Sequence, residues 1–199
     1  EEPALVAIPI WKAEGVEQTP VAHASGVPVS SLIFNELEVP LGNVIATGNK
    51  AIKAVEELTA VGGVARAVQL AGIGRAVVDA TVEYTANREQ FGRPVGTFQA
   101  VQHHLAEMAI AAKQVNHLAY SAAWTFSKEG YSATAAAQAK IAASDKIAEL
   151  CWTAHQCHGA IGFTWEHDLH LYTRRALAWK TDYGDSAFHK SKLATAIGL

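Results

Sequence analysis

The 199-residue sequence predicts a mainly α protein: an antiparallel bundle of long helices, preceded by a few β-strands from an incomplete β-domain. Three observations predict it. Alanine, the best helix former and a residue that lets helices pack closely, makes up roughly a fifth of the chain. From Asn49 to Asn87 there is no proline, and apolar residues recur through Ile52, Val55, Leu58, Val61, Ala65, Val68, Leu70, Ile73, Val77 and Val78. Ahead of about residue 45 the pattern changes to short apolar runs broken by proline and glycine.

In chain order, Ala4–Ile10 is a short apolar run, and Ser30–Val39 carries Leu32, Phe34, Leu37 and Val39 in imperfect alternation. Pro20, Gly26 and Pro28 punctuate the loops between them. Two or three such strands are too few to be stable alone, so residues 1–45 read as the remnant of a β-domain that pairs with something else. The helical domain, 46–199, opens with the proline-free stretch, which would span over 50 Å at about 1.5 Å per residue. A second helix starts near Thr97, a plausible N-cap. Its apolar positions Phe98, Val101, Leu105, Met108, Ala112, Val115, Ala119, Ala122 and Phe126 advance by threes and fours to Gly130. A third, alanine-rich helix runs from about Ser132 to Cys157 and ends at Gly159; a shorter one covers Glu166 to about Trp179; a last one follows Asp182.

A net charge of −3 gives no bulk electrostatic case for nucleic acid or an anionic membrane. No uncharged apolar run approaches the ~20 residues that span a bilayer, and the expected setting is the cytoplasm. Cys151 and Cys157 lie about 9 Å apart along a helix, too far for a disulfide. Gly72-Ile73-Gly74 sits inside a helix rather than after a strand, so it reads as close packing and not as a dinucleotide turn. His155/His158 and His167/His170 repeat at i, i+3. Glu166 precedes His170 by four, and no second copy of a Glu-x-x-His repeat follows, so buried histidines bonded to backbone or carboxylates are the expectation over a metal site. Of five tryptophans only Trp11 is expected outside helices. Lys140, Lys146 and Arg174–Arg175 form no basic stripe and read as solvated faces and ion pairs.

Three segments resist explanation as packing alone. Asn87-Arg88-Glu89-Gln90-Phe91-Gly92-Arg93-Pro94, with Phe98-Gln99 after it, gathers an arginine fork, amides and an aromatic in one inter-helix loop. Gln156-Cys157-His158-Gly159-Ala160-Ile161-Gly162-Phe163 ends a helix in a turn whose glycine backbone can approach a ligand. Trp165-Glu166-His167-Asp168-Leu169-His170 leads into Arg174-Arg175.

Together these resemble the C-terminal half of the acyl-CoA dehydrogenase family, FAD-dependent enzymes that oxidise the α,β bond of acyl-CoA thioesters. Residues 32–48 resemble the end of that family's middle β-domain. The wording HGAIGFTWEHDLHLYTRR resembles its actinobacterial branch, which acts on bulky or steroid-derived CoA esters and includes members with unlike subunits. The resemblance implies that Arg88, Phe91, Gln99, Gln156 and Gly159, with Ala160 where a second glycine is usual, reach the adenine-dinucleotide end of an FAD held mainly by a neighbouring chain. It also implies where a carboxylate base should stand. Tyr183 occupies the usual glutamate's place, and Asp185 replaces the threonine that follows. The family's alternative position, on the first helix of this domain, falls on Gly62 beside Gly63.

The expectation is therefore a subunit or fragment that lacks its own base and completes a shared FAD site with a partner chain, in a homo- or hetero-oligomer. Two alternatives stand beside it. One is the C-terminal part of a complete enzyme with Asp182, Asp185 or Tyr183 as a non-standard base; the other is a structural bundle without flavin.

Overall fold

The computed structural model describes residues 2–199, which divide into two compact units, one ending at Thr59 and the other running from Ala60 to Leu199. The first unit contains two small antiparallel sheets. β1 (Ala4–Val6) pairs with β4 (Val44–Thr47), and β2 (Val16–Val21) pairs with β3 (Val29–Phe34) in an unbroken register from Val16↔Phe34 to Val21↔Val29. Strand β2 was not expected from the sequence. Its Glu-Gln-Thr-Pro stretch is polar and carries Pro20, which an edge strand of a two-stranded ribbon tolerates because its missing N–H breaks no interior ladder. Of this unit's described residues only Ser25, Gly48 and Ala51 are buried, so it contains no large apolar side chain shielded from water.

The second unit is the bundle. Helix α1 (Gly48–Asn87) leads into it; α2 (Gln99–Lys128), α3 (Ala133–His158), α4 (Leu169–Trp179) and α5 (Ser186–Ala196) follow. Between α1 and α2 lies a two-residue ribbon, β5 (Glu89–Gln90) with β6 (Arg93–Pro94). The α2 seam buries Met108, Ala112, Val115, Ala119 and Ala122, as its spacing requires. These join Leu70, Ala71 and Val77 of α1 and Ala139, Ala143, Ile147 and Cys151 of α3 in one core cluster. Each buried Leu, Ile or Met contributes roughly 1.5–3 kcal/mol. By length and composition α1 could cross a membrane, yet its buried residues here are faces packed against helices. The early part of the α1 pattern behaves differently: Ile52, Val55, Leu58 and Val61 are exposed.

The helix ends follow local chemistry. Gly130 (φ 88°) follows α2, and Ser132 Oγ caps α3 by accepting from the Ala135 N–H at 3.2 Å. Gly159 (φ 66°) closes α3. Thr97 does not cap α2. It lies in a short 3-10 turn and its hydroxyl donates to the Pro94 carbonyl at 2.7 Å, leaving Phe98 at the cap position without a side-chain bond. Helix α4 begins at Leu169 rather than at Glu166, and Trp165 lies in the turn before it; Trp11 sits in a short 3-10 turn, so these two tryptophans are outside the α-helices. Gly74 lies close against Ile147 and Ala112, as packing demands, whereas a side chain on Gly72 would meet open space.

Candidate functional site

At one end of the bundle α4 gives way to the turn 180–185. Tyr183 sits there with φ at 57° and Gly184 at 96°. A left-handed backbone is a genuine outlier for a bulky residue and costs of order 1–3 kcal/mol, so it persists only where neighbours over-determine it. Several neighbours do. Lys140, wholly buried on α3, donates from Nζ to the carbonyls of Lys180 (2.8 Å) and Gly184 (2.9 Å) and to Ser144 Oγ (2.9 Å). The Ser144 hydroxyl donates in turn to the Lys180 carbonyl at 2.8 Å. His189 Nε2 donates to the Tyr183 carbonyl at 3.0 Å. Arg66 Nε stands 2.9 Å from Asp182 Oδ2, with its guanidinium over the Trp179 ring. Asp185 Oδ1 accepts from the Phe188 N–H at 2.8 Å and caps α5.

The Tyr183 ring itself packs on α1 at Gly62, where a Cβ would overlap Cδ1 and Cε1 of the ring. The two positions at which the sequence comparison looked for a base are therefore in contact. One holds a phenol and the other no side chain. Asp182 and Asp185, the remaining candidates, are an ion-pair partner and a helix cap. Burial pulls the Lys140 ammonium down to about 8, against the raising influence of Asp182 and Asp185 and with Arg66 adding to the fall. Burial likewise holds His189 below its ordinary value, although its bond to the Tyr183 carbonyl works the other way.

The second arrangement joins the end of α1, the ribbon that follows, and the turn after α3. At the ribbon tip Phe91 (φ 55°) and Gly92 (φ 77°) both lie in the left-handed region, the combination that a tight two-residue hairpin turn requires. Phe91 is 92% exposed. Its ring edge meets Phe98 at a centroid distance of 6.1 Å, and the Arg93 guanidinium lies over the Phe98 ring at 4.1 Å. Gln99 follows as the exposed first residue of α2. Arg88, also exposed, borders an open cleft of about 450 Å³ with Glu83, Tyr84, Asn87 and His167.

Tyr84 ties this cleft to the turn after α3. Its ring stacks on His158 at 4.4 Å, and its hydroxyl donates to the His158 carbonyl at 3.2 Å. Gln156, in the last turn of α3, and Gly159 and Ala160, on the turn that follows, are all exposed. Gly159 faces open space, but Gly162 is buried against His155, His158 and Leu169, so its missing side chain serves internal packing.

The histidines beneath are bonded to the protein's own hydroxyl and carbonyl groups. His155 Nε2 lies 2.8 Å from Thr173 Oγ1, His158 Nδ1 donates to the Ala154 carbonyl, and His170 Nδ1 donates to the His167 carbonyl. Among the described residues no carboxylate bonds to these three. Burial lowers the pKa of both His155 and His158, so each is neutral near pH 7. Among the described residues no group of three or more His, Cys, Asp and Glu is placed to hold a metal ion.

Residues 50–198 match the family model of the acyl-CoA dehydrogenase C-terminal domain. The chain belongs to the acyl-CoA dehydrogenase family. Acyl-CoA dehydrogenase FadE34 of Mycobacterium tuberculosis is 36% identical over 159 residues, covering 75% of this chain and 22% of that protein. Acyl-CoA dehydrogenase IpdE2 of the same organism is 36% identical over 110 residues, covering 55% of this chain and 33% of the relative. The fold superposes on a glutaryl-coenzyme A dehydrogenase bound to glutaryl-CoA with a TM-score of 0.92, at 23% identity, over 98% of this chain and 50% of that one. The chain thus spans a third or less of those two relatives and half of the solved structure.

Within this acyl-CoA dehydrogenase domain the sequence-derived residues form two groups, one in the 180–185 turn and one around the Phe91 ribbon and the Gly159 turn. Sequence reasoning missed the supports. Lys140 was expected on a solvated face and is instead fully buried. The signal for it was its setting, with Ala136, Ala137, Ala139 and Ala143 around it and a hydroxyl at Ser144 one turn on.

Proposed function

We propose that this domain completes an FAD site shared with a partner acyl-CoA dehydrogenase chain and supplies no carboxylate base of its own. The observation that carries the reading is Phe91, an aromatic ring held out in water by a left-handed hairpin tip. An exposed ring of this size has a reason to stand there if a flat ligand or a partner covers it. Arg88 beside an open cleft, Gln99, Gln156 and the uncrowded backbone of Gly159 and Ala160 suit the pyrophosphate and adenosine end of such a ligand. All six are exposed, so the remaining wall would come from another chain.

The residues of this chain would bind and orient an FAD, whose chemistry would be to take up hydride from a substrate's β-carbon. Arg88 offers a charged fork to a phosphate, Phe91 an apolar face, and the two glutamines amide donors and acceptors. The absence of a base is supported by Tyr183 resting on Gly62, by the Arg66–Asp182 pair and by the capping role of Asp185. A phenol with an ordinary pKa near 10 is a poor acceptor for an α-proton. Bulky, steroid-type CoA thioesters are the first substrates to test, on the resemblance of residues 158–175.

The test is co-expression with an acyl-CoA dehydrogenase partner chain. The complex is expected to retain FAD at a stoichiometry that the partner alone does not reach, and Arg88→Ala is expected to lower it. Equal flavin content with and without this chain sinks the shared site. Loss of turnover in Asp182→Asn or Tyr183→Phe, with flavin retained, would instead place a base here.

A further inference from the structure

We infer that Lys140 is the positioning residue for Tyr183: its buried ammonium grips both ends of the 180–184 turn and so holds the Tyr183 ring over Gly62. The three donors of the ammonium are fully used, two on the carbonyls that bracket the turn and one on Ser144. A hydrocarbon side chain would fill the same space without the cost of burying a charge, so the interior lysine has its use in those three acceptors. The turn needs such a hold because Tyr183 and Gly184 both adopt left-handed backbone angles, and only glycine adopts them readily. Ser144, on the same helix, also donates to the Lys180 carbonyl but not to that of Gly184, while Arg66 of α1 bonds Asp182 and His189 of α5 bonds the Tyr183 carbonyl. None of the three joins the two carbonyls as Lys140 does. Gly62 supplies the complementary half, since no side chain on α1 competes with the ring.

The linkage of Lys140 to Tyr183 stands on this geometry. That the ring so held stands where the family's usual base would face a substrate rests on the function proposed above.

The experiment is fluorine NMR of the full chain grown with 3-fluorotyrosine. Five tyrosines give five resonances, and Tyr183→Phe identifies the one that matters. In Lys140→Met the Tyr183 resonance is expected to move towards that of the free amino acid while those of Tyr84, Tyr120, Tyr131 and Tyr172 stay. In Lys140→Ala, millimolar n-propylammonium is expected to return it, and n-propanol, of the same shape without the charge, is not. An unmoved Tyr183 resonance in Lys140→Met, or equal rescue by propanol, overturns the inference. Should both variants fail to fold, Ser144→Ala removes one acceptor of the ammonium and one donor to Lys180; a smaller shift in the same direction is expected, and no shift overturns the inference. The readout needs neither flavin nor partner. A shifted resonance with unchanged turnover in the partner complex leaves the Lys140 linkage standing and shows that the turn does not face the substrate.

Discussion

The ring of Tyr183 rests on Gly62, and each residue has the form it has because of the other. Gly62 lies inside a 40-residue helix, where glycine is normally unfavourable by about 1 kcal/mol relative to alanine. Tyr183 lies in a turn whose backbone favours glycine. The pair accepts two local penalties in exchange for one close contact.

Gly62→Ala is therefore expected to destabilise the domain by about 1–3 kcal/mol, because the added methyl overlaps the ring. In a Tyr183→Ala background the same change is expected to stabilise it by about 1 kcal/mol, as helix propensity alone would have it. Urea unfolding of the four proteins in this cycle measures both signs. Additive effects would show that the contact carries no coupling.

Phe91 is strained and bare of cover, so Phe91→Gly is expected to raise the stability of the free chain by up to about 1 kcal/mol. The same variant is expected to reduce FAD retained by the partner complex. Thermal melts and flavin absorbance on one set of preparations separate the two effects. A loss of stability with unchanged flavin content would identify the ring as a packing element.

His155, His158 and His189 are all held below the ordinary value of 6.5, chiefly by burial. The unfolded chain binds protons at these sites before the folded one does, so stability is expected to fall as pH drops from 6.5 towards the depressed values. The midpoint of thermal unfolding, followed from pH 7.5 to 5, tests this. His189→Gln keeps an N–H for the Tyr183 carbonyl and should shallow the slope. A flat profile would mean that these rings charge freely in the fold.

Lys140 acts with the same sign in a more alkaline window. Its pKa falls from 10.5 to about 8 in the fold, with Asp182, Asp185, Arg66 and His189 facing it. Between those values the unfolded state holds the extra proton, and stability is expected to rise with pH. The difference between wild type and Lys140→Met, measured by urea unfolding from pH 7.5 to 10, isolates this contribution from the tyrosines. No difference in slope would place the lysine in a more watery setting than its contacts indicate.

Much of the bundle could be read from the sequence because helical periodicity is a local signal. The steps of three and four from Phe98 to Phe126 mark the buried face of α2, and Gly130 and Gly159 mark stops. The α1 pattern misled at its beginning, since apolar residues at regular spacing do not reveal whether a partner covers them; Ile52, Val55, Leu58 and Val61 are exposed. Strand β2 escaped because Pro20 and three polar residues mask a strand exposed to water, while its partner β3 overlaps the run from Ser30 that reads as a strand. The candidate residues at the loops could be named from motif resemblance. The supports could not, because Lys140, Arg66 and the 180–185 turn meet only after three helices and that turn have packed, the lysine standing 40 positions before the nearer carbonyl it holds. Both aromatic–glycine pairs, Phe91-Gly92 and Tyr183-Gly184, were visible as letters, but not their left-handed backbones, which bulky residues seldom adopt.

The alanine-lined core has a consequence for how such a domain can change over time. Ala67, Ala71, Ala119, Ala139, Ala143, Ala154 and Ala176 are at or near complete burial. A side chain that is already a single methyl cannot be trimmed without making a glycine, so almost every replacement in these layers enlarges it and pushes the helices apart. Inheritable variation is thereby steered away from the interior and onto helix ends and turns. Those are the places where the exposed ribbon, the glycine turns and the 180–185 turn stand, while the scaffold beneath stays the same.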